Sequence, residues 1–156
     1  MRIAIGSDHA GFSMKQEIVN ELSAEGYEIV DCGTHSSESV DYPDIAQAVA
    51  GKVLEDDILG VLICGTGIGI SIAANKIAGI RAALCHDPYT AKLAREHNDA
   101  NIIAVGARIS GPGIALEMIK TFINGKFQGG RHQRRVEKID CLEKKCHEGS
   151  KSSGLY

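Results

Sequence analysis

The stretch Leu59-Gly60-Val61-Leu62-Ile63-Cys64-Gly65-Thr66-Gly67-Ile68-Gly69-Ile70-Ser71-Ile72-Ala73-Ala74-Asn75 decides the fold. Its first part, Leu59 to Ile63, is short, branched and free of charge, and reads as a buried strand. A cysteine follows, then three glycines at alternate positions, then small and apolar residues at helical spacing. Glycines there let the backbone turn tightly and aim several N–H groups into one small space. The helix beyond adds its unpaired N-terminal donors and positive dipole end. The stretch therefore reads as an anion or oxyanion cradle with a thiol at its lip.

Working outward, the same strand-to-helix alternation repeats. Ile3 to Gly6 is a first strand, and Phe12 to Ala24 carries an amphipathic helical pattern that Gly26 ends. Tyr27 to Val30 is a second strand, followed by a polar loop from Cys32 to Ser39. Asp41-Tyr42-Pro43-Asp44 opens a helix that runs to about Glu55, with the proline in its favoured first turn. After the glycine loop a helix extends to about Ile77, and Ile80 to Leu84 is a fourth strand. Asp87-Pro88 caps a helix reaching His97, and Ile102 to Val105 is a fifth strand. Gly113 to Ile123 is a last regular helix, and the basic segment 131–136 resumes a helical pattern. This alternation implies a Rossmann-like three-layer α/β/α sandwich with a five-stranded parallel sheet and a C-terminal helical extension. Ligands of such sheets bind at the carboxyl ends of strands. Asp8, His9, Cys64 and the glycine loop all follow strands and so converge on one edge.

The chain has 156 residues, 44% hydrophobic and 24% charged, enough for one domain with a proper core. Residues 1–142 form that domain, and 143–156, rich in Lys, Ser and Gly, read as a frayed polar tail. No apolar run approaches a bilayer span, and the N-terminus reads as a strand, not a signal peptide, so a cytoplasmic location is expected. A net charge of −3, 4% aromatic residues and no tryptophan argue against nucleic acid and anionic membranes as partners. The five cysteines, Cys32, Cys64, Cys85, Cys141 and Cys146, lack paired zinc spacing and read as free thiols, so no metal is expected. Cys32 and Cys85 fall at strand ends as small buried residues.

Gly65-x-Gly67-x-Gly69 is not a dinucleotide fingerprint, because residue 70 is isoleucine, and no Walker sequence is present. Asp87 lies at the distance that fingerprint asks for, but it is better explained as a helix cap. Proton transfer on a small phosphorylated substrate fits the residues better. Cys64 adjoins a ring of N–H donors, a setting that favours a thiolate, and a thiolate serves as general base or nucleophile. The same donors hold the oxyanion of an enediolate. His9 is a candidate anion contact. His97-Asn98 ends a helix, and Arg131 and Arg135, four apart, share one face if the segment is helical. Asp41-Tyr42 on its own is a capping element.

Taken together, these segments resemble the ribose-5-phosphate isomerase type B family, which includes allose-6-phosphate and galactose-6-phosphate isomerases. The resemblance rests on Gly6 to Phe12, Asp41 to Asp44, Ile63 to Lys76, Gly79 to Ala82, Arg95 to Asn101, Gly106 to Arg108 and Gly129 to Val136, and covers roughly residues 1 to 140. It implies interconversion of an aldose phosphate and a ketose phosphate through an enediolate, without metal or organic cofactor. It also implies Cys64 as the base between C1 and C2, assisted by Thr66, with N–H groups from Gly65 through Gly67 to Gly69 holding the oxyanion. Asp8 and His97 match the positions that open the sugar ring, and Asn98 and Tyr42 match substrate contacts. His9, Arg131 and Arg135 match phosphate binders, with Arg108 a further candidate. Some relatives use a glutamate where this chain has Ile70, so the chain resembles the cysteine subgroup. The family builds its site between two subunits, which implies a homodimer, with pairing into a tetramer as the alternative. Ribose 5-phosphate is the leading substrate and allose 6-phosphate the alternative. The two-chain galactose-6-phosphate arrangement fits less well, because this chain carries both halves. A non-catalytic phosphosugar-binding protein would not need the thiol.

Overall fold

The computed structural model describes the backbone of residues 1–151 and the side chains of residues 1–143. Its strands are β1 (Arg2–Ser7), β2 (Glu28–Asp31), β3 (Leu59–Cys64), β4 (Ala82–Leu84) and β5 (Ile102–Gly106). Its helices are α1 (Phe12–Ala24), α2 (Tyr42–Asp56), α3 (Ile68–Ala74), α4 (Pro88–Asn98), α5 (Pro112–Ile123) and α6 (Gln133–Lys151). The sheet is parallel throughout, in the order β2-β1-β3-β5-β4, with Ser7 opposite Ile63 and Cys64 opposite Gly106.

The strands are apolar on both sides because both faces are covered. Alternate residues divide between two cores. Ile3, Ile5, Val61, Ile63, Ile103 and Val105 pack with α1, α4 and α5, around Ile18, Leu22, Met118 and Phe122. Ala4, Leu62, Cys64, Ile102 and Ala104 face α2 and α3, around Val49, Val53 and Ile70. The Cys64 side chain therefore lies on the α2–α3 side. The three-layer sandwich expected from the alternation is present, with α6 added after it.

Several boundaries differ from the sequence reading. The helix after the glycine loop ends at Ala74, not near Ile77. Asn75 ends it by pairing its side-chain amide with both Ala82 N–H and Ala82 C=O at 2.8 Å. Ile80 is buried but belongs to the turn that follows, so β4 begins only at Ala82. Tyr27 likewise precedes β2. Asp41 occupies the cap position of α2 but its side chain makes no capping hydrogen bond. At the C-terminal end α6 continues to Lys151, and the Glu143 carboxylate accepts the Gly79 N–H at 3.0 and 3.1 Å. The end of the polar tail, 152–156, lies outside the described residues, as do the side chains of Cys146 and His147.

One charge sits inside the body. Lys15 on α1 is fully buried, and its ammonium donates to both oxygens of Asp31, at 2.5 and 2.6 Å. The Asp31 carboxylate also accepts the Gly33 N–H at 2.9 Å. Gly33 C=O accepts from Ser7 N–H, and Thr34 N–H donates to Ser7 C=O, both at 2.6 Å, which ties the loop after β2 to the end of β1. Breaking a buried pair from one side leaves a charge without compensation. Lys15→Met is expected to lower the unfolding free energy by about 3 kcal/mol, read from urea denaturation. An unchanged midpoint would show that the pair contributes nothing to stability.

Candidate active site

β1 has β2 on one side and β3 on the other, so the chain reverses its direction of travel across the sheet between them. The carboxyl ends of β1 and β3 flank that switch point, the usual ligand crevice of an open parallel sheet. Asp8 and His9 leave β1 there, and Cys64 is the last residue of β3.

The loop after Cys64 is shaped by close packing that only glycine allows. Gly67 has φ +79°, and a Cβ there would fall 2.5 Å from Leu84 Cδ1. Gly106 meets the loop from β5, where a Cβ would fall 2.6 Å from the Thr66 carbonyl. The backbone so folded returns the Gly67 N–H to Cys64 Sγ at 3.1 Å. Cys64 is 4% exposed. Thr66 is exposed, and its Oγ1 accepts the Ile68 N–H at 3.3 Å, which leaves its own hydrogen free to donate. Two N–H groups of the expected cradle, those of Gly67 and Ile68, are thus turned inward on the loop itself. Gly69, in the first turn of α3, keeps an N–H without an intrahelical acceptor.

Around this loop stand four further candidates. The Tyr42 ring lies over Gly69, where a Cβ would fall 2.7 Å from Tyr42 Cζ. Arg108 lies against Gly65, with its Nη1 3.2 Å from the place of a Cβ, and its N–H donates to Gly65 C=O at 2.9 Å. Asp8 is buried, and one carboxylate oxygen, Oδ1, accepts the N–H groups of Ala10 and Gly11 at 2.9 and 3.1 Å. The His9 Nδ1 accepts the Val40 N–H at 3.3 Å, so the neutral ring carries its hydrogen on Nε2.

His97, Asn98, Arg131 and Arg135 are elsewhere. In a parallel sheet each helix returns the chain to the amino edge, and α4 delivers His97 and Asn98 there, next to the start of β5. The two groups are separated by the length of the strands, roughly 15–20 Å. The turn after α4 is locked by Asp99, which adopts a left-handed conformation (φ +47°) and accepts from Arg81 and Arg95 at 3.0 and 2.6 Å. Gln128 N–H donates to Glu96 C=O at 3.0 Å and lays the segment before α6 beside α4. Arg131 falls in that segment, ahead of the helix, so Arg131 and Arg135 do not share one helical face. The glycines at 129 and 130, with φ +62° and +56°, hold the chain in a turn where the charge spacing suggested helix.

The sequence reading gave His132 no role. It is 7% exposed, and its ring stacks on His97 with centroids 4.0 Å apart and planes 9° from parallel. Burial, then the charges of His97, Arg131 and Arg135, hold the His132 imidazole below the ordinary histidine range. Clefts of about 650 and 730 Å3 open between Arg81, Asn98 and Glu143, and between Met1, Asp99 and Lys126. Neither includes Cys64 or its loop. Among the described residues no helix is long and apolar enough to cross a membrane, and no group of His, Cys, Asp and Glu side chains could hold a metal ion.

A family model described as Ribose/Galactose Isomerase matches residues 3–139. The chain is 50% identical over 145 residues to ribose-5-phosphate isomerase B of Escherichia coli strain K12, covering 92% of this chain and 97% of that protein. Its fold superposes on ribose-5-phosphate isomerase B of Clostridium thermocellum with a TM-score of 0.91 and 54% identity, covering 93% and 99% of the two chains. The enzyme of the same name from Mycoplasma genitalium, solved with bound ribulose-5-phosphate, gives 0.88 and 41% over 92% and 96%.

The remaining thiols differ in environment. Cys85 is buried after β4, and desolvation pushes its thiol up to about 11, while Cys141 is exposed. A thiol raised on folding favours the folded state below its unfolded value near 9.0, and that contribution is lost as pH rises towards 11. Cys85→Val is therefore expected to flatten the loss of stability between those pH values, measured by urea titration at each pH. An unaltered alkaline slope would contradict the assignment.

Proposed function

The chain belongs to the ribose/galactose isomerase family, and from that premise we propose that it interconverts ribose 5-phosphate and ribulose 5-phosphate through an enediolate, with Cys64 as the base. The observation that carries this reading is the Cys64 sulfur held 3.1 Å from the Gly67 N–H at the switch point of the sheet.

The open-chain aldose is the reacting form. The thiolate of Cys64 removes the proton from C2, and the electron pair moves onto O1. The Gly69 N–H and the Thr66 hydroxyl, the donors left free by the loop's own bonds, stabilise that oxyanion. The thiol then returns the proton to C1, the proton on O2 passes to O1, and O2 becomes the carbonyl. Sulfur ends in its starting state. Asp8, through its unused carboxylate oxygen, and His97 open the ring beforehand. Nε2–H of His9 and the guanidinium of Arg108 bind the phosphate from one chain. Tyr42 positions the sugar beside the loop of Gly65, Gly67 and Gly69, which a side chain at Gly67 or Gly69 would push off Leu84 and the Tyr42 ring.

Because one chain holds Cys64 and His97 at opposite edges, the reading requires a second copy. The partner subunit's His97, Asn98, Arg131 and Arg135 complete the site, in a homodimer or a pair of dimers. Cations gathered from two chains attract an anionic sugar although each chain is net acidic. In that assembly the surface beside Cys64 and its loop is covered, which makes a closed, water-poor site. A thiol base suits a reducing compartment, and the cytoplasm is the proposed location.

Purified protein is expected to turn over ribose 5-phosphate in preference to allose 6-phosphate. Cys64→Ala is expected to lower kcat by about 10²–10⁴-fold, with its unfolding midpoint retained. Turnover of the hexose alone would move the substrate and keep the mechanism. Full activity in Cys64→Ala would remove the base.

A further inference from the structure

We propose that His132 is a positioning residue: by stacking face to face on His97, it fixes the imidazole plane in which His97 exchanges the proton that opens the sugar ring. The proposal rests on the reading of His97 as a ring-opening group.

Three observations support it. First, among the described residues no hydrogen bond holds the His97 imidazole, although its backbone is locked by the Asp99 turn. The half-buried ring has one ordered neighbour of matching shape, the His132 ring at 4.0 Å and 9°. Second, His132 is the buried residue of an otherwise exposed run, since Arg131, Gln133, Arg134 and Arg135 all face solvent. Desolvating an imidazole costs free energy, and here the return is the stack. Third, His132 Nε2 accepts a long hydrogen bond, 3.4 Å, from Arg131 Nε. Arg131, a candidate phosphate ligand, thus lies beside the stack.

The electrostatics agree with this division of labour. Two stacked imidazoles carry two positive charges only at high cost. Burial, then the charges of His97, Arg131 and Arg135, lower the His132 pKa and so favour its neutral form in the stack.

The test uses the full-length enzyme and two substrates. Ribose 5-phosphate must be opened, whereas 4-deoxyribose 5-phosphate lacks the hydroxyl that closes the furanose ring and is always open. His132→Ala is expected to lower kcat for ribose 5-phosphate by about tenfold, with KM and turnover of the 4-deoxy sugar each within about twofold. His132→Phe retains a ring on His97 and is expected to recover most of the lost kcat. Should the alanine variant fail to fold, His132→Asn, planar but too small to stack, takes its place. The proposal is overturned by equal losses on both sugars, by no loss, by a rise in KM alone, or by a phenylalanine variant no better than alanine. His97→Asn, run alongside, separates the premise: if it slows the 4-deoxy sugar as much as ribose 5-phosphate, His97 does not open the ring.

Discussion

A parallel sheet imposes one constraint on everything built upon it. Every strand delivers its carboxyl end to the same edge, and every covering helix must carry the chain back to the other. Here β1, β3 and β5 bring Asp8, His9, Cys64 and Arg108 to one edge, while α4 leaves His97 and Asn98 at the opposite one. No side-chain rotation spans that separation. The proposed chemistry, which needs both groups, therefore calls for a site shared between two chains.

Within the carboxyl edge, precision comes from close packing of backbone. The glycine loop is wedged between Leu84, Val105 and Tyr42, and its inward-turned N–H groups fix the sulfur and the Thr66 hydroxyl before any substrate arrives. Such preorganisation matters because a donor already aimed costs no rearrangement when charge develops. The buried Lys15–Asp31 pair serves the same edge from behind, because Asp31 holds Gly33, and Gly33 and Thr34 are tied to Ser7 just ahead of Asp8 and His9. At the amino edge the corresponding supports are the Arg81–Asp99–Arg95 network and the His97–His132 stack.

Much of this was legible in the sequence. The apolar run into Cys64 and the glycines gave β3 and its loop, and the spacing of Phe12, Ile18, Val19 and Leu22 gave α1 at its observed ends. The misreadings share a cause: local pattern was overruled by a partner distant in sequence. Ile80 looked like the start of the strand that runs to Leu84, yet it sits in a turn closed by Asn75 and Ala82. Arg131 looked helical by charge spacing, yet the two preceding glycines hold a turn. Lys15 is sealed against Asp31 from the next strand, a pairing that no local pattern displays. His132 carried no signal by itself, since a histidine among arginines reads as surface until α4 is seen to lie against it. The separation of the two residue groups followed from strand order, which the residues alone did not display.

The central claim, that one site draws its base from one chain and its ring-opening group from another, is tested most directly by mixing two damaged chains. Cys64→Ala and His97→Asn, each purified and far below wild-type turnover of ribose 5-phosphate, are unfolded together and refolded. Random pairing gives hybrids in which one site carries both lesions and the other carries neither, so recovery to about a quarter of wild-type activity is predicted. A mixture no more active than its parents, with hybrid dimers shown to have formed, would place Cys64 and His97 in separate functions and contradict the shared site.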